Sequence, residues 1–394
     1  MKKMITDFDL DGKKVIIRCD FNVPIKDGKI TDDNRIKESL KTINYAIDNN
    51  AKVILLSHLG RIKTEEDKSK NSLLPVAKRL GELIGKKVLF INETRGNVLE
   101  EAVLNMNKKD VLLIENTRYE DYPSKKESNC DDELSKYWAS LGDIFINDAF
   151  GSCHRACASI VGIAKYLPSG IGFLIEREIK MLGNTLDNPK RPYVVIMGGA
   201  KMNDKIKVID KLIEKCDYLL LGGGIANTFL TAKGYDLKKS LYDEESLLHA
   251  KDLMGKYKDK IVLPVDGYAS EKYEDNLEVK YYDLKKVDDG MMILDIGPET
   301  IKLFSKYINN CKTIFLNGPV GVSEFNSFEY GTNALLKILK ESGADVIVGG
   351  GDSAAAARKF GYKDAFCHIS TGGGASLEYI EGKKLPGIEA IDNK

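Results

Sequence analysis

The chain is predicted to be an α/β protein of two doubly wound parallel-sheet domains joined by a connecting helix, and three observations predict it. Short β-branched runs recur, each followed by polar or glycine-rich residues and then by a stretch of helical spacing. The runs are almost continuously apolar, as strands covered on both faces of a parallel sheet must be. At 394 residues the chain also exceeds what one hydrophobic core ordinarily supports, roughly 250 to 300 residues.

In the first half the expected strands are KVIIR, KVILLS, VLLIEN and DIFIND; in the second they are YVVIM, DYLLLG, KIVLPV, MILDIG, TIFLNG and DVIVGG. Between the first two, RIKESLKTINYAI lines up Ile36, Leu40, Ile43 and Ile47 on one side of a helix. The stretch 167–192, LPSGIGFLIEREIKMLGNTLDNPKRP, breaks the alternation. It carries one amphipathic pattern (Phe173, Ile175, Ile179, Leu182) and an Asn-Pro-Lys-Arg-Pro breaker, with no strand expected before Tyr193. It is the expected connector.

Lys+Arg and Asp+Glu number 59 each, so nothing favours bulk attraction to nucleic acid or an anionic membrane, and recognition of an anion must be local. The N-terminus has acidic residues where a signal sequence would be apolar, and no stretch approaches the ~18 apolar residues of a membrane span. A cytoplasmic protein is expected. The seven cysteines include no C-x-x-C pair, which points to reduced, mostly buried thiols rather than a zinc or redox site. Cys153 and Cys157 flank His154 in GSCHRACAS, but a fourth metal ligand is not signalled nearby.

Ligands of open α/β sheets bind outside the carboxyl ends of the strands, and the polar signatures of this chain sit there. The two halves differ in kind, because only one arginine, Arg358, lies beyond Arg191. In the first half Arg61, Arg118 and Arg155 each follow a strand end, and Arg35 opens the first helix. Planar, bidentate donors converging on one rim suit a small, multiply anionic ligand. His58, Asp20 and Asn22 add hydrogen-bonding groups to the same rim.

The second half has glycines at that rim. GGGDSA, LGGGIAN and STGGGAS all miss G-x-G-x-x-G, and no Walker lysine follows a glycine loop. A helix N-terminus preceded by glycine still binds phosphate through bare N–H groups and its dipole, with cations supplied by a neighbouring strand. MGGAKMNDKI supplies Lys201 and Lys205, which share a helical face if the helix begins near Met202. Asp352 reads either as a plain N-cap or as a magnesium ligand beside nucleotide phosphates. Glu324 reads as an acceptor for ribose hydroxyls or as a solvated acid.

Taken in order, RCDFNVP, SHLGR, DAFGSCHRACAS, GGAKMNDK, LGGGIANTF, LDIGP, NGPVGVSEF, GGGDSAAA and STGGGASLEYIEGKKLPG resemble the phosphoglycerate kinase family over nearly the whole chain. The resemblance implies two Rossmann-like domains: 1–170 for phosphoglycerate, 171–191 as interdomain helix and hinge, 192–375 for the nucleotide, and 376–394 packing back on the first. It implies a monomer that closes about its hinge, with reversible phosphoryl transfer from 1,3-bisphosphoglycerate to MgADP. Asp20, Phe21, Asn22, Arg35, His58, Leu59, Gly60, Arg61, Arg118 and Arg155 would bind phosphoglycerate. Lys205, Asn317, Glu324, Gly350, Gly351, Asp352 and Ser353 would bind ATP or ADP, with Asp352 toward Mg2+. Arg35, Lys201, Lys205, Gly373 and Gly374 would stabilise the transferring group. Ile62, Cys157 and Ile293 depart from the family pattern, where proline, histidine and glycine are usual; none removes a needed charge.

Two other readings stand beside this one. A dinucleotide-dependent oxidoreductase would need the missing G-x-G-x-x-G turn, and a two-lobed anion-binding protein would leave Lys201, Lys205 and Asp352 without a purpose.

Overall fold

The apolar runs of the first half fold into one parallel sheet. A computed structural model describes residues 1–184 and 187–394 in full. The strands are β1 (Lys14–Arg18), a small hairpin β2 (Ile25–Lys26) and β3 (Lys29–Ile30), β4 (Lys52–Leu56), β5 (Val88–Ile91), β6 (Val111–Ile114), β7 (Ile144–Asn147) and β8 (Ser169–Ile171). Helices α1 (Asn34–Asp48), α2 (Glu65–Lys70), α3 (Leu74–Ile84), α4 (Asn97–Leu104), α5 (Asp132–Ser140) and α6 (Phe173–Asp187) complete this part. The main sheet runs β5-β6-β4-β1-β7-β8 with every pair parallel. The chain starts at β1, builds toward one edge and then crosses to β7, so the strand order reverses between β1 and β7. That is where a doubly wound sheet opens a crevice.

Periodicity explains the packing. Ile36, Ile43 and Ile47 of α1 are buried against Val15, Ile17, Val53 and Leu55. Leu40, the fourth member of the expected stripe, is only partly buried against the same core. Helix α6 begins at the carboxylate of Asp148, whose Oδ1 accepts from Leu174 N at 2.9 Å and Ile175 N at 3.2 Å. Burial pushes that carboxyl up to about 6.

The second half supplies β9 (Tyr193–Met197), α7 (Ile206–Lys215), β10 (Tyr218–Leu221), α8 (Gly223–Ala232), α9 (Leu247–Lys256), β11 (Ile261–Val262), β12 (Asp266–Ser270), β13 (Lys280–Asp283) and β14 (Met292–Ile296). It continues with α10 (Pro298–Ile308), β15 (Thr313–Asn317), α11 (Tyr330–Glu341), β16 (Asp345–Gly349), α12 (Gly351–Lys359), β17 (His368–Ile369) and α13 (Gly374–Ile380); α14 (Pro386–Glu389) follows. Its main sheet runs β11-β10-β9-β15-β16-β17, all parallel, and reverses order between β9 and β15.

Three expectations need correction. A short strand, β8, does lie within 167–192; its Gly170 packs where an added Cβ would come 2.7 Å from the Phe8 ring, and three residues carry no visible period. MILDIG, read as one more parallel strand, joins a separate antiparallel sheet, β13-β12-β14. The chain divides into Met1–Lys180 with Lys384–Lys394, and Met181–Lys383, rather than at 170/171, 191/192 and 375/376. Helix α13 packs on α7 and so stays with the second unit. The segment associated with the first unit begins only at Lys384: Gly387 O accepts from Asn147 Nδ2 at 2.8 Å, and Lys2 bridges to Asn393.

Candidate active site

In the first unit the polar groups expected at the rim assemble behind the carboxyl ends of β1, β4 and β6. Asp20 follows β1, and its Oδ2 accepts from Arg35 Nη1, carried on the first turn of α1. Burial alone would raise the Asp20 carboxyl, but the neighbouring guanidinium groups, Arg35 above all and Arg18 behind it, more than reverse this and hold it below the usual carboxylate range. Asn22 Oδ1 accepts from Gly60 N at 2.9 Å, and Gly60 O accepts from Arg118 Nη1. Gly60 has φ 61°, and a Cβ there would stand 2.1 Å from Asn71 Oδ1. Only glycine fits this bend, which brings the two loops together.

Arg61, Arg118 and Arg155 line one groove of about 490 Å³. Lys63 and Lys125 line it as well, against one carboxylate, Asp121, which is occupied by Ser128. Burial, and then the neighbouring Arg155 and Arg18, make the charged form of Arg118 less favourable than usual. Cations gathered against their own repulsion and desolvation form a site that an anion would relieve. Phe21 and Leu59 are placed differently: both side chains belong to the hydrophobic core. Phe21 N donates to Ser57 Oγ, and Leu59 N donates to Asn116 Oδ1. Their backbones shape the loops while their side chains fill the core.

In the second unit the site forms where strand order reverses. Gly198 and Gly199 follow β9, Asn317 ends β15 and Gly318 follows it. Their backbones run so close that a Cβ on Gly198 would lie 2.1 Å from Pro319 O. Into this junction points Lys205 Nζ, which donates to Gly198 O at 2.7 Å. Added Cβ atoms on Gly318 and Gly199 would come within 2.7 and 3.1 Å of the amine. Burial lowers the Lys205 amine to about 8, opposed in part by Asp352.

The helix start differs from the expectation at Lys201 and Lys205. Lys205 has φ −125° and ψ 2°, so α7 begins only at Ile206. Lys201 lies exposed in the loop before it, and the two lysines do not share a helical face. Lys205 turns back into the glycine junction instead.

The loop at the end of β16 removes the plain N-cap reading of Asp352. The N-cap of α12 is Gly350, with φ 85°, and no side chain caps the helix. Asp352 is exposed in the first turn, and its charge partly offsets the effect of burial on the Lys205 amine. The N–H groups of Gly351, Asp352 and Ser353 have no carbonyl one turn back within the helix. Ser353 Oγ is engaged, accepting from Gly318 N. Asn317 Nδ2 is buried without a partner, and a Cβ on Gly350 would stand 3.0 Å from it. A buried amide donor beside bare helix N–H groups suits a phosphate oxygen. Glu324 is exposed and accepts from Tyr273 OH at 3.3 Å. Gly373, with φ 52°, precedes α13, and neither it nor Gly374 has any atom within 4 Å of an added Cβ. That loop presents bare backbone.

Sequence reasoning missed Arg18, Lys63 and Lys125. Arg18 carried a signal, being the one charged residue after the apolar core of KVIIR; the two lysines sit among many surface lysines and carried none. Among the departures, Cys157 is buried, and burial pushes its thiol up to about 12, so it is a poor nucleophile. Ile293 pairs with Ala269 and packs on the Leu230–Leu237 cluster.

A guanidinium-lined groove on one α/β unit and a glycine-and-lysine junction on another have the chemistry of a phosphotransferase that acts on a small anionic substrate. A sequence model described as phosphoglycerate kinase matches residues 5–383. The chain belongs to the phosphoglycerate kinase family. It is 53 % identical over 395 residues to the phosphoglycerate kinase of Macrococcus caseolyticus, with all of both chains covered. It is 54 % identical over 398 residues to that of Fusobacterium nucleatum, again across all of both. The solved phosphoglycerate kinase of Coxiella burnetii superposes with a TM-score of 0.88 at 39 % identity, covering 99 % of this chain and 98 % of that one. That of Pyrococcus horikoshii gives 0.86 at 32 %, covering 98 % of each. The chain therefore catalyses the glycolytic, reversible transfer of a phosphoryl group from 1,3-bisphosphoglycerate to ADP, giving 3-phosphoglycerate and ATP. Among the described residues no helix is long and apolar enough to cross a membrane.

A nucleotide phosphate beside the Lys205 amine would make nucleotide affinity depend on pH. Below about 8 the amine is charged in the free protein; above that it is neutral, whereas bound phosphate favours the charged form. Binding at this amine would then take up a proton, and affinity is expected to fall as pH rises. The Kd for ADP with Mg2+, measured by calorimetry, is expected to be flat from pH 6.5 to 7.5 and to rise on the order of tenfold between pH 8 and 9. Lys205→Met should abolish that rise, and a flat wild-type profile would rule the linkage out.

Proposed function

We propose that the first unit holds phosphoglycerate and the second holds the nucleotide, with Mg2+ at Asp352. Arg61, Arg118 and Arg155 take the phosphate of phosphoglycerate, while Asp20, Asn22, Arg35 and His58 surround its other end; Phe21, Leu59 and Gly60 act through backbone. Gly350 to Ser353 and Asn317 receive the nucleotide phosphates, and Glu324 accepts from the ribose. The observation that carries this reading is the open donor set at α12: a buried, unpartnered Asn317 amide beside bare helix N–H groups. Magnesium on nucleotide phosphates needs only one or two protein carboxylates, and the exposed, uncapping Asp352 fits that requirement. When bound, the metal supplies charge neutralisation on the phosphates.

In ATP synthesis the attacking ADP oxygen and the leaving carboxylate are both already anionic, so no general base is required. The chain's work is to align donor and acceptor and to neutralise the transferring group. Lys205 and Arg35 are the principal cations for this, aided by Lys201 and the backbone at Gly373 and Gly374. Because the two ligands must meet for in-line transfer, closure about the segment joining the units accompanies binding of both. The protein is read as a cytoplasmic monomer.

The direct test is ADP release from MgATP, with and without 3-phosphoglycerate, by wild type and Asp352→Ala. Turnover is expected to depend on 3-phosphoglycerate and to fall at least 100-fold in the variant, on the order of one lost charge-stabilising group. A folded Asp352→Ala protein with unchanged turnover and unchanged Mg2+ dependence would overturn the assignment of the metal.

A further inference from the structure

Behind the anion groove lies a buried series of groups that the proposed ligand contacts do not use: Arg18, Ser159 and Glu127. Arg18 ends β1 and is only 1 % exposed. Its Nε donates to Ser159 Oγ at 2.8 Å, its Nη1 to the Cys19 carbonyl oxygen, and its Nη2 lies 3.2 Å from His58 Nδ1. Ser159 donates both its hydroxyl and its N–H to the Glu127 carboxylate. The guanidinium is therefore fixed from behind, with one nitrogen left over for the imidazole.

A guanidinium nitrogen can only donate, and it stays protonated at any pH the fold survives. His58 Nδ1 must then accept, which places the ring proton on Nε2. Nε2 makes no hydrogen bond to the described residues. The charges facing the ring come from three elements: Arg18 and Asp20 from β1 and the loop after it, Arg35 from α1, and Arg118 from the turn after β6. Burial disfavours the imidazolium; Asp20 favours it, while Arg18, Arg118 and Arg35 oppose it, and the balance leaves His58 well below the usual histidine range.

We propose that Arg18 is a positioning residue that fixes His58 as the neutral tautomer with its proton on Nε2, so that the imidazole meets phosphoglycerate as an uncharged hydrogen-bond donor. The inference rests on the reading of His58 as a phosphoglycerate contact. It leaves the site's positive charge to the arginines and lysines, and it makes the histidine a directional donor whose state does not change between pH 5.5 and 8.5.

Histidine 15N spectra of the whole, wild-type enzyme test this without a variant, because the chain has only four histidines and His58→Gln identifies the signals. His58 is expected to show an unprotonated Nδ1 and a protonated Nε2 at every pH from 5.5 to 8.5. Titration near the ordinary midpoint of about 6.5, or a proton on Nδ1, would overturn the proposal. Addition of 3-phosphoglycerate should shift Nε2 far more than Nδ1. If the tautomer is as expected but neither nitrogen responds, the ligand reading of His58 fails and the donor role falls with it. Arg18→Lys keeps a cation beside Glu127 but loses the fork. It should give mixed tautomers and raise the KM for 3-phosphoglycerate about tenfold while leaving the KM for MgATP unchanged. A wild-type tautomer in that variant would show that Arg18 does not set it.

Discussion

Lys205→Met is expected to lower kcat by about 10²–10³ with the fold intact, on the order of losing one preorganised donor to the transferring group. The amine sits where the backbones after β9 and β15 converge, held by Gly198 O and hemmed by Gly199 and Gly318. Methionine keeps the length and the apolar stem, so the variant removes charge rather than packing. Arginine should not rescue it, because the backbones of Gly198 and Gly318 run so close that a Cβ on Gly318 would lie 2.2 Å from Gly198 O, which leaves little room for a planar fork. Steady-state rates for the methionine and arginine variants, with circular dichroism as the check on folding, decide the matter. Near-wild-type kcat in either variant would remove Lys205 from the group that stabilises transfer.

Arg35→Met should produce a loss of similar size with a different signature: kcat down about 10²–10³ and the KM for 3-phosphoglycerate raised, with the KM for MgATP unchanged. Arg35 is the partly exposed member of a pair whose other half, Asp20, is buried. Truncation therefore also leaves a carboxylate with less of its countercharge, which costs on the order of 1–3 kcal/mol. The double variant Asp20→Asn/Arg35→Met separates the two effects. Its stability should recover while the rate does not. If the rate returns along with stability, Arg35 serves the fold rather than the transfer, and its catalytic assignment fails.

The parallel sheets were legible in the sequence because β-branched runs buried on both faces leave an uninterrupted apolar signature, and the site was legible where charged side chains stand at the ends of those runs. Arg61, Arg118 and Arg155 share one groove for that reason. Position in the motif could not tell side chain from backbone, so Phe21 and Leu59 stood beside the ligand residues although both fill the core. Nor could spacing reveal that φ at Lys205 breaks the helix and parts it from Lys201. The antiparallel β13-β12-β14 sheet and the three-residue β8 went unread because strand direction and edge pairing are set by tertiary partners. Arg18 was overlooked because a buried arginine at the end of an apolar strand becomes visible only through its partners, Ser159 and His58.

The first unit is built from two pieces of chain, Met1–Lys180 and Lys384–Lys394, with Lys2 paired to Asn393, whereas the second is one continuous piece. In order of biosynthesis, the second unit is thus an insertion into the first. Every residue it needs has left the ribosome before the first unit receives its last eleven. The first lobe is completed only after the second has been made.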